Sequence, residues 1–166
     1  MTDPAEVPFR GGQTALVVKV PEAEPAVGRW RERFDRAAAM GVQAHVTVLY
    51  PFLDSGKVDG LVMDRLRGLF IAHAAFTARF DRCGRFPEVL YLAPEPGDPF
   101  KRLTEAVVTL WPEAPPYGGR FAEIVPHLTV ADLRIRRWGG GRGGACARRC
   151  ARPSDGAPPP ARATLP

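Results

Sequence analysis

His45-Val46-Thr47-Val48 and His127-Leu128-Thr129-Val130 are the two stretches on which this chain turns. Each alternates a polar side chain with an aliphatic one. Successive side chains of a strand point to opposite faces, so residues i and i+2 share a face. His45 and Thr47 therefore project together, with Val46 and Val48 going into a core. His127 and Thr129 stand in the same relation to Leu128 and Val130. The chain has three histidines, and two of them occupy this one pattern. A lone strand histidine reads first as a structural side chain, but a matched pair does not.

Around the first stretch, residues 14–20 form a short Val-rich run stopped by Pro21 and read as a strand. Pro25 opens a helical pattern in which Val27, Trp30, Phe34 and Ala37 or Ala38 recur at helical spacing, and Gly41 suits the position past its end. Residues 44–50 read as a second strand, ended by Pro51. A helix is expected over about 58–72, with His73 closing its apolar stripe in a structural role. Phe76, Ala78 and Phe80 alternate as a half-buried strand, and 89–92 forms another.

Around the second stretch, Asp98 is a fitting N-cap and Pro99 a first helical residue for a helix buried through Phe100, Leu103, Val107 and Leu110. Pro112 stops it, a Pro/Gly-rich loop spans 113–119, and 124–133 reads as an apolar strand. Strand, helix and His-x-Thr strand thus occur at about 14–48 and again at about 89–130. Two such halves pack around a pseudo-twofold axis, with both His-x-Thr strands near the middle.

Brought together, two imidazoles and two hydroxyls have a specific chemical use. Opening a phosphodiester needs a base for the attacking water and an acid for the departing ribose oxygen. It also needs donors for the charge that builds on the non-bridging oxygens. Histidines with an ordinary pKa near ~6.5 supply acid and base together at neutral pH. Threonine hydroxyls supply donors. No metal or other cofactor is required by this scheme, and the clustered Asp, Glu and His of a two-metal nuclease are not evident in the sequence.

The net charge of +5 is unevenly held. Residues 134–166 carry eight arginines against one acid, Asp155, so their +7 leaves −2 for residues 1–133. A broad basic surface for gripping long nucleic acid is thus not evident in the body. Cys83, Cys146 and Cys150 are too few and too sparse for a disulfide framework, and the last two read as incidental. The N-terminal MTDPAEVPFRGG lacks the apolar core of a secretory signal, and no apolar run reaches the ~18 residues of a membrane span. A cytoplasmic protein with no membrane partner is the expectation, monomeric by default.

With these residues in view, the sequence resembles the two-histidine (2H) phosphoesterase superfamily, and within it the bacterial 2′-5′ RNA ligase family. The resemblance covers about residues 13–133, and rests on HVTVLYPF at 45–52, FPEVLYLAPEP at 86–96 and PPYGGRFAEIVPHLTVA at 115–131. It implies a two-lobed α+β fold with antiparallel sheets around a central cleft. It also implies opening of a 2′,3′-cyclic phosphate to a 2′-phosphate on RNA ends or cyclic nucleotides, and in some members a reversible 2′-5′ joining reaction. Carried over by position, His45 and His127 are the catalytic pair and Thr47 and Thr129 bind the phosphate. Tyr50, Phe52, Phe86, Tyr117 and Arg120 are further candidates to line the cleft, core packing or surface decoration being the alternative for each. Pro126 is expected to shape the approach to the second motif strand.

The chain departs from the family after Leu133. Of the last 33 residues, 25 are Arg, Gly, Pro or Ala, where family members continue with a helix and strands. The domain is therefore read as 1–133, and 134–166 as a tail too poor in aliphatic side chains to order, resembling the product of a shifted reading frame. An incomplete lobe with an open sheet edge follows from that reading. Two other functions stay in play: an RNA-binding protein without catalysis, its arginine-rich tail gripping phosphate by charge, or an inactive truncated homologue.

Overall fold

The structure, a computed structural model, describes residues 10–132 and the backbone of residues 161–165. Strand β1 (Leu16–Lys19) is followed by helices α1 (Glu24–Phe34) and α2 (Arg36–Ala39) and by strand β2 (His45–Leu49). Helix α3 (Gly60–Ala72) leads to the hairpin β3 (Phe76–Arg85) and β4 (Val89–Glu95). Helix α4 (Asp98–Leu110) and strand β5 (Leu128–Asp132) follow, and β6 is Ala161–Leu165. Residues 133–160, with Cys146, Cys150 and most of the arginine-rich stretch, lie outside the described residues. So does the expectation of disorder there.

The strands form one antiparallel sheet in the order β1-β2-β5-β4-β3-β6. Its first four strands carry the pseudo-twofold relation: β1-β2 from one half meets β5-β4 from the other, and Val46 pairs with Leu128 at the junction. The fold is the expected α+β arrangement, with the sheet continuous through both halves. The backbone of β6 pairs along β3 from Phe76 to Phe80, so the sheet edge expected to be open is covered there.

Alternation in sequence becomes alternation in burial. Val46, Val48, Leu128 and Val130 are buried, whereas His45, Thr47, His127 and Thr129 are half-buried. Helix α1 packs beneath β5 and α4 beneath β2, so each half's helix supports the other half's motif strand. One core cluster joins Val27 and Phe34 of α1 to Val46, Leu128 and Val130. A second joins Leu103 and Val107 of α4 to Val48 and Leu49. Thr104, itself buried, donates from Oγ1 to the Val48 carbonyl at 2.7 Å and pins α4 to the back of β2. Each buried aliphatic contributes about 1.5–3 kcal/mol, so a one-residue slip that buried the imidazoles instead would be strongly disfavoured.

Three local expectations are revised. The helix expected to run on to Ala37 or Ala38 breaks at Asp35, which adopts an extended backbone and caps α2 through Ala37 N–H. Asp98 begins α4 with Gly97 as its cap. The second motif strand starts at Leu128 and not near 124, because Pro126 has no N–H to give a ladder. Among the described residues no helix is long and apolar enough to cross a membrane.

Candidate active site

The pairing of Val46 with Leu128 fixes the site's geometry. One step along this antiparallel register sets His45 opposite Thr129 and Thr47 opposite His127, all on the face turned away from α1 and α4. Directly opposed side chains have Cβ atoms about 4.5–5.5 Å apart, and diagonal neighbours about 7–8 Å. The imidazoles therefore lie on one diagonal of a square and the hydroxyls on the other. The two rings are near enough for the charge of one to act on the other.

Each imidazole is aimed by the same device. His45 Nδ1 lies 2.8 Å from the Gln43 carbonyl oxygen, and His127 Nδ1 lies 2.7 Å from that of Val125. A carbonyl only accepts, so Nδ1 carries the proton that it donates. The neutral ring then presents an unprotonated Nε2, and the charged ring an Nε2–H, away from the backbone.

The supports of these two carbonyls differ. Arg31 is 1% exposed, and its guanidinium meets Asp35 Oδ2 at 2.8 Å, Glu24 Oε1 at 3.1 Å and the Val42 carbonyl at 3.1 Å. Glu24 in turn accepts from Ala44 N–H. The buried ion cluster thus holds the backbone on both sides of Gln43, whose carbonyl orients His45. Val125 instead precedes the buried Pro126, which packs on Gly97 of the α4 cap.

His127 stands among aromatics. Its ring centroid is 5.1 Å from Phe86, edge to face, and 5.4 Å from Tyr91. Phe86 and Tyr91 stack at 4.5 Å. Tyr91 pairs with Thr129 on one side and with Gly84 on the other, and its ring lies over Gly84 so closely that a Cβ there would overlap it. Burial lowers the His127 pKa below the ordinary 6.5, and the charge of nearby His45 lowers it further, against the opposing pull of the Val125 carbonyl.

The remaining candidates divide. Phe86, half-buried, lies beside the second motif through its edge-to-face contact with His127. Tyr50 follows β2, half-buried, with its hydroxyl 3.2 Å from Gln13 Oε1, and its carbonyl accepts from Tyr117 N–H at 2.7 Å. This bond ties the loop before β5 to the end of β2. Tyr117 holds a left-handed backbone, φ 52°, uncommon for a side chain of its size, and burial raises its phenol pKa. Arg120 is exposed just beyond that loop's turn. Phe52 is a correction. It is 7% exposed and packs edge-on against Trp111 at 5.3 Å, in the core and not in the cleft. His73 caps α3 and contacts Phe76, the structural role expected. Among the described residues no three His, Cys, Asp or Glu side chains stand together as a metal would need.

Against this geometry, a family model described as the 2′-5′ RNA ligase superfamily matches residues 20–138. The chain belongs to that superfamily. The 2′-5′ RNA ligase superfamily is one of two-histidine phosphoesterases, and the matched span includes β2 and β5 with both His-x-Thr pairs. No curated protein matches the chain. Within this superfamily member, two residues of the site face are not apparent from the sequence. Tyr91 reaches it through its pairing with Thr129, and Lys19 through its pairing with His45. Both sit at alternating strand positions, but only the order of the strands reveals which neighbours they have.

Proposed function

We propose that this superfamily member opens a 2′,3′-cyclic phosphate, on an RNA end or a nucleotide, to a 2′-phosphate without a metal. The observation that carries the reading is the quartet of His45, Thr47, His127 and Thr129, with both Nδ1 atoms turned to backbone carbonyls. The cyclic phosphate sits between the rings, and the hydroxyls of Thr47 and Thr129 donate to its non-bridging oxygens. His127, kept neutral by burial, takes a proton from water through Nε2 as the water oxygen bonds to phosphorus. The P–O3′ bond breaks, and His45 gives its Nε2 proton to O3′. The product is a 2′-phosphate with a free 3′-hydroxyl. Proton exchange with solvent then restores both rings.

A 5′-hydroxyl in the place of water gives a 2′-5′ linkage by the same proton movements, which run backwards equally well. That accounts for reversible joining as a second activity of one site. Phe86 and Tyr91 offer their aromatic surface to the base of the bound nucleoside, an interaction worth about 1–3 kcal/mol per stacked base.

The test is hydrolysis of a nucleoside 2′,3′-cyclic phosphate by the purified chain and by His45→Ala and His127→Ala. Each substitution is expected to lower kcat by about 10²–10⁴-fold, the scale of a lost acid or base. A chelator is expected to leave turnover unchanged. Full turnover by both variants would remove the mechanism.

A further inference from the structure

The site face extends one strand beyond the quartet, onto β1. Lys19 pairs with His45 and Val17 with Thr47. Their neighbours Leu16 and Val18 pack against the core, while Val17 and Lys19 are exposed on the side of the imidazoles. One row across the sheet therefore reads Lys19, His45, Thr129, Tyr91. Lys19 enters no ion pair among the described residues. It also lies one residue outside the span that the family model matches, so nothing in that match assigns it.

The stereochemistry of a nucleoside gives this row a direction. In a ribose 2′,3′-cyclic phosphate the ring is attached at C2′ and C3′. The base leaves from C1′, next to C2′, and the 5′ chain from C4′, next to C3′. Base and 5′ substituent thus extend to opposite sides of the cyclic phosphate. With strands about 4.8 Å apart, β1 and β4 each lie roughly 7 Å from the centre of the quartet, on opposite sides of it. Phe86 and Tyr91 occupy the β4 side. On the other side, among the described residues, Lys19 places its ammonium-bearing side chain in register with His45.

We infer that Lys19 binds the phosphate on the 5′ side of the reacting nucleoside, so that the site prefers a cyclic phosphate ending a chain, or carrying a 5′-phosphate, to a bare nucleoside cyclic phosphate. The inference rests on the phosphoesterase reading and names the substrate end that suits it. A compact ammonium on a four-carbon stem spans the gap to a phosphate one nucleotide away without fixing its orientation, which suits a group that varies among RNA ends. The slightly acidic body, −2 over residues 1–133, makes one correctly placed cation count for more.

The test compares two substrates in the full chain: a nucleoside 2′,3′-cyclic phosphate, and the same nucleoside carrying a 5′-phosphate as well. Wild type is expected to favour the second by about threefold to fivefold in kcat/KM, through KM, the upper range of a partly exposed charge contact. In Lys19→Gln that preference shrinks towards one, in Lys19→Arg it is kept, and in wild type added salt erodes it. Equal kcat/KM for the two substrates in wild type overturns the assignment. So does a Lys19→Gln loss of the same factor on both, which would put the ammonium on the reacting phosphate. Turnover of neither substrate by wild type defeats the phosphoesterase reading itself, and this inference falls with it.

Discussion

His45 and His127 occupy opposite corners of the β2–β5 square, and each gives its Nδ1 proton to the carbonyl two residues before it. The symmetry is local only. Behind Gln43 stands a buried guanidinium with two carboxylates; behind Val125 stands a proline packed on the start of α4. The second ring is further set apart by the aromatic wall of Phe86 and Tyr91 that it packs against. Two equivalent histidines of an internal repeat are thereby made chemically unequal, as the proposed acid–base pair requires.

The inequality sets a pH dependence. His127 must be neutral to act as base, and burial holds its pKa below 6.5, so kcat/KM is expected to rise with pH to a midpoint below 6.5. Replacing His45 with Asn removes the like charge but not the burial. The His127 pKa should then move up towards 6.5 while staying below it, as NMR titration of its ring would report. An unchanged titration would mean that the two rings do not interact. The same shift acts on stability. Between the lowered folded pKa and 6.5 the unfolded chain binds the proton more readily. The His127 contribution is therefore full above 6.5 and is lost as pH falls towards the folded pKa.

The ion cluster under Gln43 should be costly to break. Arg31→Met leaves Asp35, 7% exposed, without its cation, and a destabilisation of about 3–5 kcal/mol is expected from urea unfolding. Arg31→Lys should recover only part of this. One ammonium does not match a guanidinium that reaches Asp35, Glu24 and the Val42 carbonyl at once. Both variants should also lower kcat, because the backbone around the Gln43 carbonyl loses its anchors.

The alternation of His45-Val46-Thr47-Val48 makes legible which side chains are buried, and the repeat of that pattern at His127 implies that the two strands meet. Which residues stand beside them is not legible in the same way. Tyr91 joins the site because β4 pairs with β5, and Lys19 because β1 pairs with β2. Such long-range pairings are invisible to local periodicity. Phe52 misleads for a related reason: it follows the motif strand closely, but its backbone bonds to Thr14 and its ring turns to Trp111. Arg31 looks in sequence like one more charge on an amphipathic helix. Its burial depends on the Asp35 break, where a capping aspartate overrides a helical pattern.

Phe52 and Phe86 should separate cleanly in kinetics. Phe52→Ala removes a core ring, and a loss of about 3–5 kcal/mol in stability is expected, with KM of the folded protein unchanged. Phe86→Leu should leave stability less affected and raise KM for a nucleoside cyclic phosphate, since an aliphatic side chain offers no flat face to a base. Thermal melts and initial rates on the two purified variants decide it. A KM effect at Phe52 comparable to that at Phe86 would restore Phe52 to the cleft.

Gly84 is the most stringent position on the second half's outer hairpin. Its missing Cβ is what lets the Tyr91 ring lie across β3, in space that any larger residue's Cβ would occupy. Gly84→Ala must displace the ring, and overpacking of this kind costs about 1–3 kcal/mol. Because Tyr91 stacks on Phe86 and both touch His127, the displacement should also change the base-binding surface and the burial that lowers the His127 pKa. The expected signature is a raised KM together with an upward shift of the acid limb of the pH profile. Tyr91→Ala in the Gly84→Ala background should relieve the clash and recover stability without recovering KM. That result would separate the steric role of the glycine from the stacking role of the tyrosine.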